Sequence, residues 1–336
     1  MQGAGSCAIL PRARMPTFAA ILHTLDPFIL QVTPGFGLRW YGLLYAGGLL
    51  SAWMIMRAVA RRGRAGLTPK QVDDFITEAV IGVVVGARLG HALIYDRALF
   101  TTFTPSIPFW ELLAVHKGGL SSHGGMAGLL VVCWRFSSRS GAPFRTLLDL
   151  CGISAPPGLC MGRMANWING ELWGRPLPAD MQANAPWWSV KYPREVLETG
   201  FDPARLEPLR PIVHAGDDLQ QVVVAASYAG DAKVQAALEP LLTAYWPSNF
   251  FQAFTDGPVL ALIVWIVWLR KPAPGITAAW FLIGYGILRF ATEQFREPDA
   301  GVNRLAGLTS PMLISVGMIG AGAVLAWIWR STPRSA

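Results

Sequence analysis

The chain has 336 residues, 52% of them hydrophobic and only 15% charged, where a soluble domain averages roughly 25% charged. Fourteen tryptophans and a mean hydropathy of +0.37 point the same way, to a polytopic membrane protein rather than a soluble domain. The net charge of +7 does not signal nucleic acid, because the basic residues gather in short connectors between apolar runs, as the positive-inside rule expects of cytoplasmic loops.

Residues Met1 to Thr17 carry basic residues and prolines but no long apolar core, so they do not read as a signal peptide, and Met15 is a second possible start. Residues 1–37 are expected to form an exported tail and interfacial segment. A first span is predicted over 38–56, followed by a connector with Arg57, Arg61, Arg62, Arg64 and Lys70 but no acidic residue. The second span, 75–95, repeats glycine every four residues at Gly82, Gly86 and Gly90, a smooth ridge for close helix packing. An outside loop with Pro105, Pro108 and Trp110 leads to a third span over 120–136, closed by Arg135, Arg139 and Arg145. The fourth, 147–164, holds Pro156-Pro157, expected to kink it.

From Arg175 to Trp246 the chain is rich in Pro, Asp, Glu and Trp, and the alternation of sides places it outside as a small head, with an amphipathic helix over 231–244. Span five covers 259–269, extended backwards through Phe250 and Phe254. Arg270 and Lys271 precede span six, 278–295; span seven, 312–329, runs into Arg330 and Arg334. The expected fold is an all-α polytopic membrane protein with about seven transmembrane helices and an exported head between the fourth and fifth. Its regions are 1–37, 38–174, 175–246 and 247–336, with the N-terminus outside and the C-terminus cytoplasmic.

Three arginines, Arg88, Arg163 and Arg289, fall inside or at the edge of these spans. At about 2.5 to 3.5 kcal/mol each near a helix centre, they would together cost on the order of 10 kcal/mol unpaired, so they should face the bundle interior or an anionic ligand. Span four ends in Gly162-Arg163-Met164-Ala165-Asn166-Trp167-Ile168-Asn169-Gly170-Glu171-Leu172-Trp173-Gly174-Arg175, where Arg163 and Asn166 share a helical face. In span six Tyr285, Arg289, Glu293 and Arg296 are spaced four, four and three apart, on one face. Either that face neutralises itself so that the helix inserts, or the excess of arginine over glutamate suits a phosphate.

Gly118-Gly119-Leu120-Ser121-Ser122-His123-Gly124-Gly125 opens span three. Its glycines allow close approach, and His123 is either a proton acceptor or simply hydrogen-bonded at the interface. The other histidines, His23, His91, His116 and His214, show no metal-ligand spacing to one another or to cysteines. Cys7 lies in the tail and Cys133, Cys151 and Cys160 in spans, which leaves no disulfide framework; Cys160, one turn before Arg163, reads as a small buried residue rather than a nucleophile.

Taken together these motifs resemble the prolipoprotein diacylglyceryl transferase family from about Arg39 to Arg330. The resemblance rests on Gly162 to Arg175, on Gly118 to Gly125, and on the run from Tyr285 to Asp299, with shorter echoes in Arg39-Trp40-Tyr41-Gly42-Leu43 and Gly86-Ala87-Arg88-Leu89-Gly90. It implies a bacterial cytoplasmic (inner) membrane enzyme that moves diacylglyceryl from phosphatidylglycerol to the lipobox cysteine of a preprolipoprotein. The partners implied are that lipid, the signal peptide with its lipobox, and the bilayer, and no metal or cofactor is implied. By the resemblance His123, Arg163 and Arg289 are catalytic, and Tyr41, Asn166, Glu171, Gly174, Tyr285, Glu293 and Arg296 bind substrate.

The sequence departs from the family pattern at Trp246-Pro247-Ser248-Asn249-Phe250-Phe251-Gln252, where a His-Pro-Ser-Gln-Leu-Tyr-Glu run is usual, so no role passes to Trp246 or Gln252. Ser122 stands where an aromatic is common and His91 where a tyrosine is common. Two other readings stay open from the residues alone: a different phospholipid head-group transferase or lipase, and a transporter of an anionic solute. Against the transporter, no internal repeat is visible.

Overall fold

The computed structural model describes residues 20–33, 36–105, 107–213, 218–297, 304–305 and 307–331. Cys7, Met15, His214, Pro298, Asp299 and Arg334 lie outside the described residues. The chain divides into two compact units. The larger comprises Pro27–Ile168, Asn249–Gln294 and Pro298–Ala336; the smaller comprises Met1–Asp26, Asn169–Ser248 and Phe295–Glu297.

The larger unit is a helical bundle. Its long helices are α1 (Trp40–Arg61), α2 (Pro69–Ile94), α3 (Ser122–Ser140), α4 (Phe144–Ile168), α5 (Ser248–Leu269), α6 (Ile276–Thr292) and α7 (Ser310–Trp329). By length and composition, α1, α2, α5 and α7 can cross a membrane. The other three are diluted by glycine and polar residues (α3, α4) or are short (α6, 17 residues), and they carry His123, Arg163 and Arg289. Ahead of α1, where a tail was expected, an antiparallel hairpin pairs Phe28–Thr33 with Phe36–Arg39.

Local sequence explains the helix limits. Thr68 and Gln71 form a reciprocal capping box before α2, with Pro69 in its first turn. Gly141 ends α3 in the left-handed region. Pro156 and Pro157 lie inside a continuous α4. The start of α6 is capped from another helix: Asp149 of α4 accepts from the backbone N–H of Gly275 and of Ala278, each at 2.7 Å. That carboxylate ties the helix carrying Arg289 to the helix carrying Arg163.

The expected glycine ridge on α2 meets glycines of α3. A Cβ on Gly128 would lie 2.1 Å from the Gly82 carbonyl oxygen, and one on Gly124 would lie 2.3 Å from that of Gly86. Backbone-to-backbone packing of this kind supplies dispersion contact where lipid gives no hydrophobic drive between helices. The bundle core holds Val72 and Phe75 of α2, Phe136 of α3, Leu147 and Ile153 of α4 and Leu260 of α5, all buried.

The smaller unit has its own apolar core of Val196, Leu206, Leu209, Val223, Val234 and Leu238. Two of its helices are Leu219–Tyr228 and Ala232–Leu238, so the amphipathic helix expected over 231–244 is shorter and its neighbour was not foreseen. Short extended segments pair side by side: Gly174 with Arg296, Pro176 with Tyr245, Tyr245 with Val190, and Val190 with Ile21.

Candidate active site

Arg163 sits near the end of α4, with its side chain only 16% exposed. Its Nε donates to Asp256 Oδ2 at 3.3 Å, and Tyr285 of α6 lies within electrostatic reach of its guanidinium. One turn on from Tyr285, Arg289 pairs with Glu293 at 2.7 Å, both nearly buried. Arg289 is also within electrostatic reach of Asp256. Two guanidiniums and two carboxylates therefore gather from α4, α5, α6 and the turn that follows α6. Asp256 adds a second acid to the arginines and glutamate that spacing placed on one face. The helix α6 itself ends at Thr292, and one tight turn, Glu293–Phe295, follows before Arg296.

Asn166, one turn beyond Arg163, is 7% exposed. Tyr41 in the first turn of α1 stacks on Tyr45, with ring centroids 4.7 Å apart and hydroxyls 3.1 Å apart. A Cβ on Gly162 would meet the Tyr45 hydroxyl at 4.0 Å, so this aromatic pair borders the Arg163 turn.

His123 stands exposed in the first turn of α3, behind the N-cap Ser121, whose Oγ accepts from Gly124 N–H. Among the described residues it makes no hydrogen bond or ion pair. Its approach is held by Arg88, 6% exposed, which donates to the carbonyls of Leu112 (2.9 Å), Gly118 (2.8 Å), Gly119 (3.1 Å) and Glu111. Ser121 N–H then donates to the Ala87 carbonyl at 2.9 Å, docking the start of α3 on α2. Arg88 thus takes backbone carbonyls, not a side-chain anion, as its partners.

In the smaller unit, Gly174 lies between two chain segments. A Cβ there would fall 2.0 Å from the Trp246 carbonyl oxygen and 3.0 Å from that of Phe295, so no other residue fits without moving backbone. Arg175 N–H donates to the Phe295 carbonyl, and Arg175 Nε to that of Arg296, while Trp246 N–H donates to the Arg175 carbonyl. Trp246 packs on Trp188 and Phe295, with centroids 5.0 and 5.2 Å apart. Arg296 is 7% exposed. Glu171 is half-buried; burial raises its pKa above the ordinary carboxylate value, against the lowering influence of Arg194 and a hydrogen bond with Asn169. Among the described residues no group of three or more His, Cys, Asp or Glu could hold a metal ion.

The sequence profile of the prolipoprotein diacylglyceryl transferase family matches residues 27–328. The chain belongs to this family. It is 35% identical over 335 residues to a phosphatidylglycerol–prolipoprotein diacylglyceryl transferase of Bdellovibrio bacteriovorus, covering 92% of this chain and 94% of that relative. The like-named protein of Gluconacetobacter diazotrophicus is 34% identical over 310 residues, covering 91% and 90%. That of Aromatoleum aromaticum is 33% identical over 311, covering 92% and 97%.

For this diacylglyceryl transferase family member, motif reading singled out every residue of the buried cluster except Asp256. A signal for it exists in the sequence. Thr255-Asp256-Gly257-Pro258 interrupts an apolar run with one acid and two helix breakers, and the structure makes a π-helical turn over Thr255–Val259. Such turns recur at functional sites. Asn249, Gln252 and Asp256, all on α5, are each 1% exposed or less. Asparagine and glutamine seven and four residues before a buried aspartate mark a polar stripe on an otherwise apolar helix.

Proposed function

We propose that this chain transfers the diacylglyceryl group of phosphatidylglycerol to the lipobox cysteine thiol of preprolipoproteins, in the bacterial inner membrane. The sulfur–carbon bond forms at the glyceryl carbon as that carbon's bond to the phosphate oxygen breaks. The products are a thioether and glycerol phosphate, and the thiol proton leaves to a base. The observation that carries the reading is the convergence of Arg163 and Arg289 on the buried Asp256, with Tyr285 within electrostatic reach of Arg163. Charge grows on the departing phosphate oxygen in the transition state, and guanidiniums fixed in a low-dielectric site stabilise it. Arg163 and Arg289 are assigned that task. His123, exposed and making no hydrogen bond among the described residues, is assigned the thiol proton.

Tyr41, Asn166, Tyr285 and Glu293 are assigned to holding the lipid or the arginines, and Glu171, Gly174 and Arg296 to the exported side. The full reading includes seven spans, with α3, α4 and α6 joining the four apolar helices. It puts the N-terminus and residues 175–246 outside, and Arg61, Arg62, Arg64 and the C-terminus inside, from the asymmetry of basic residues.

Purified protein in vesicles of glyceryl-labelled phosphatidylglycerol, with and without a lipobox peptide, tests it. Labelled thioether peptide and free glycerol phosphate are expected only when the peptide is present. Lipid cleavage at the same rate without peptide would replace the reading by a lipase.

A further inference from the structure

Asp256 is a fully buried carboxylate that the reaction as written does not use. It is 0% exposed, on a helix otherwise rich in Phe, Leu, Val and Trp, and a buried acid there is costly unless it is paired. One oxygen, Oδ2, accepts from Arg163 Nε; the other, Oδ1, has no hydrogen-bond partner among the described residues. The backbone around it is built for this position. The π-helical turn Thr255–Val259 brings Gly257 so close to α4 that a Cβ would lie 2.7 Å from Cys160 Cβ, one turn before Arg163.

The edge of the guanidinium that is used matters. Nε carries one N–H and the two Nη atoms carry four. Asp256 takes the single Nε donor, so the Nη side, with its four N–H groups, is left for a phosphate. Charge matters as well. With Asp256 and Glu293 opposite Arg163 and Arg289, a phosphate is held by aimed hydrogen bonds rather than by a net positive cluster. A monoester product carries more charge than the diester substrate, so a net positive cluster would favour the product and retain it.

We propose that Asp256 is a positioning residue: it fixes the Nε edge of Arg163 so that the Nη edge meets the lipid phosphate, and its charge lets the phosphorylated product leave. The inference rests on the functional reading above and deepens it.

The test uses the full chain in phosphatidylglycerol vesicles, comparing Asp256→Asn and Asp256→Glu with the unaltered protein. Three quantities are read: turnover with the lipobox peptide, calorimetric binding of glycerol phosphate, and the thermal midpoint. Asp256→Asn should bind glycerol phosphate at least about threefold more tightly and turn over at least about tenfold more slowly. Asp256→Glu should recover part of both, because it restores the charge. In an Arg163→Ala background, Asp256→Asn should add less than about twofold, since the residue acts through that arginine. Unchanged product affinity in Asp256→Asn, or full additivity with Arg163→Ala, would overturn the proposal. So would equal losses in the Asn and Glu variants alongside a lowered thermal midpoint, which mark a purely structural acid. If the unaltered protein transfers no lipid, the functional reading fails instead, and the binding comparison still decides whether Asp256 tunes phosphate affinity.

Discussion

Arg88, buried, and Arg163, its side chain 16% exposed, are neutralised in different ways. Arg88 donates to carbonyls at 111, 112, 118 and 119 and holds a loop. Arg163 meets a carboxylate and a phenol brought by other helices. Backbone carbonyls cannot leave without unmaking the loop, so the charge of Arg88 is committed to structure. Side-chain partners can share a guanidinium with an incoming anion. Buried arginines alone therefore do not mark a site; the kind of partner does.

That contrast can be broken at several points, and the largest effect is expected where the Arg88 loop ends. His123→Gln should lose about a hundredfold to ten-thousandfold in turnover at neutral pH and regain part of it as pH rises toward the thiol's own pKa, because hydroxide then replaces the base. Initial rates from neutral to alkaline pH, with lipid and peptide binding followed separately, would check this. Equal impairment across the range would instead mean that His123 only orients a substrate.

Next in size is the loss of fork geometry. Arg163→Lys and Arg289→Lys should each lose about a hundredfold in turnover while the protein still inserts and accumulates, since an ammonium keeps the charge but not the planar paired donors. Near-normal turnover in both variants would remove the phosphate clamp.

Arg88→Met should show the opposite signature. It leaves buried carbonyls without their donor, so we expect a stability loss of about 2 to 3 kcal/mol, with turnover per folded molecule falling less than about tenfold. Thermal unfolding in detergent, read beside activity, separates the two kinds of arginine. A normal midpoint with abolished turnover would move Arg88 into the phosphate site.

The sequence made the helices legible because apolar runs and connector charges repeat the same message: α1, α2 and α7 begin within six residues of the expected spans. The smaller unit was harder. Leu219–Tyr228 contains Val222-Val223-Val224, a β-branched run that argues against a helix until a core selects one. The hairpin over 28–39 depends on pairing that no local pattern announces. At the candidate site, spacing found Arg289 and Glu293 because they lie one turn apart on one helix. It missed Asp256, whose partner Arg163 is 93 residues away, and it placed Arg296 on a helical face that ends at Thr292. Local periodicity carries local pairs; tertiary partners need the fold.

The smallest expected effect extends the contrast to an acid of the smaller unit. Burial raises the pKa of Glu171 above its unfolded-state value, and neither Arg194 nor the hydrogen bond with Asn169 offsets this fully. The folded chain therefore binds that proton more tightly than the unfolded chain, and the bound proton favours folding at acid pH. As pH rises from the ordinary carboxylate range through the raised folded-state value, that contribution is lost, so stability should fall across the window. Glu171→Gln removes the titration and should flatten this part of the profile, leaving the midpoint at neutral pH equal to or slightly above that of the unaltered protein. Thermal midpoints between acid and neutral pH for the two proteins would check it. A glutamine variant with the same slope would mean that another group titrates there. One markedly less stable at neutral pH would mean that the Glu171 carboxylate is better paired than its burial implies.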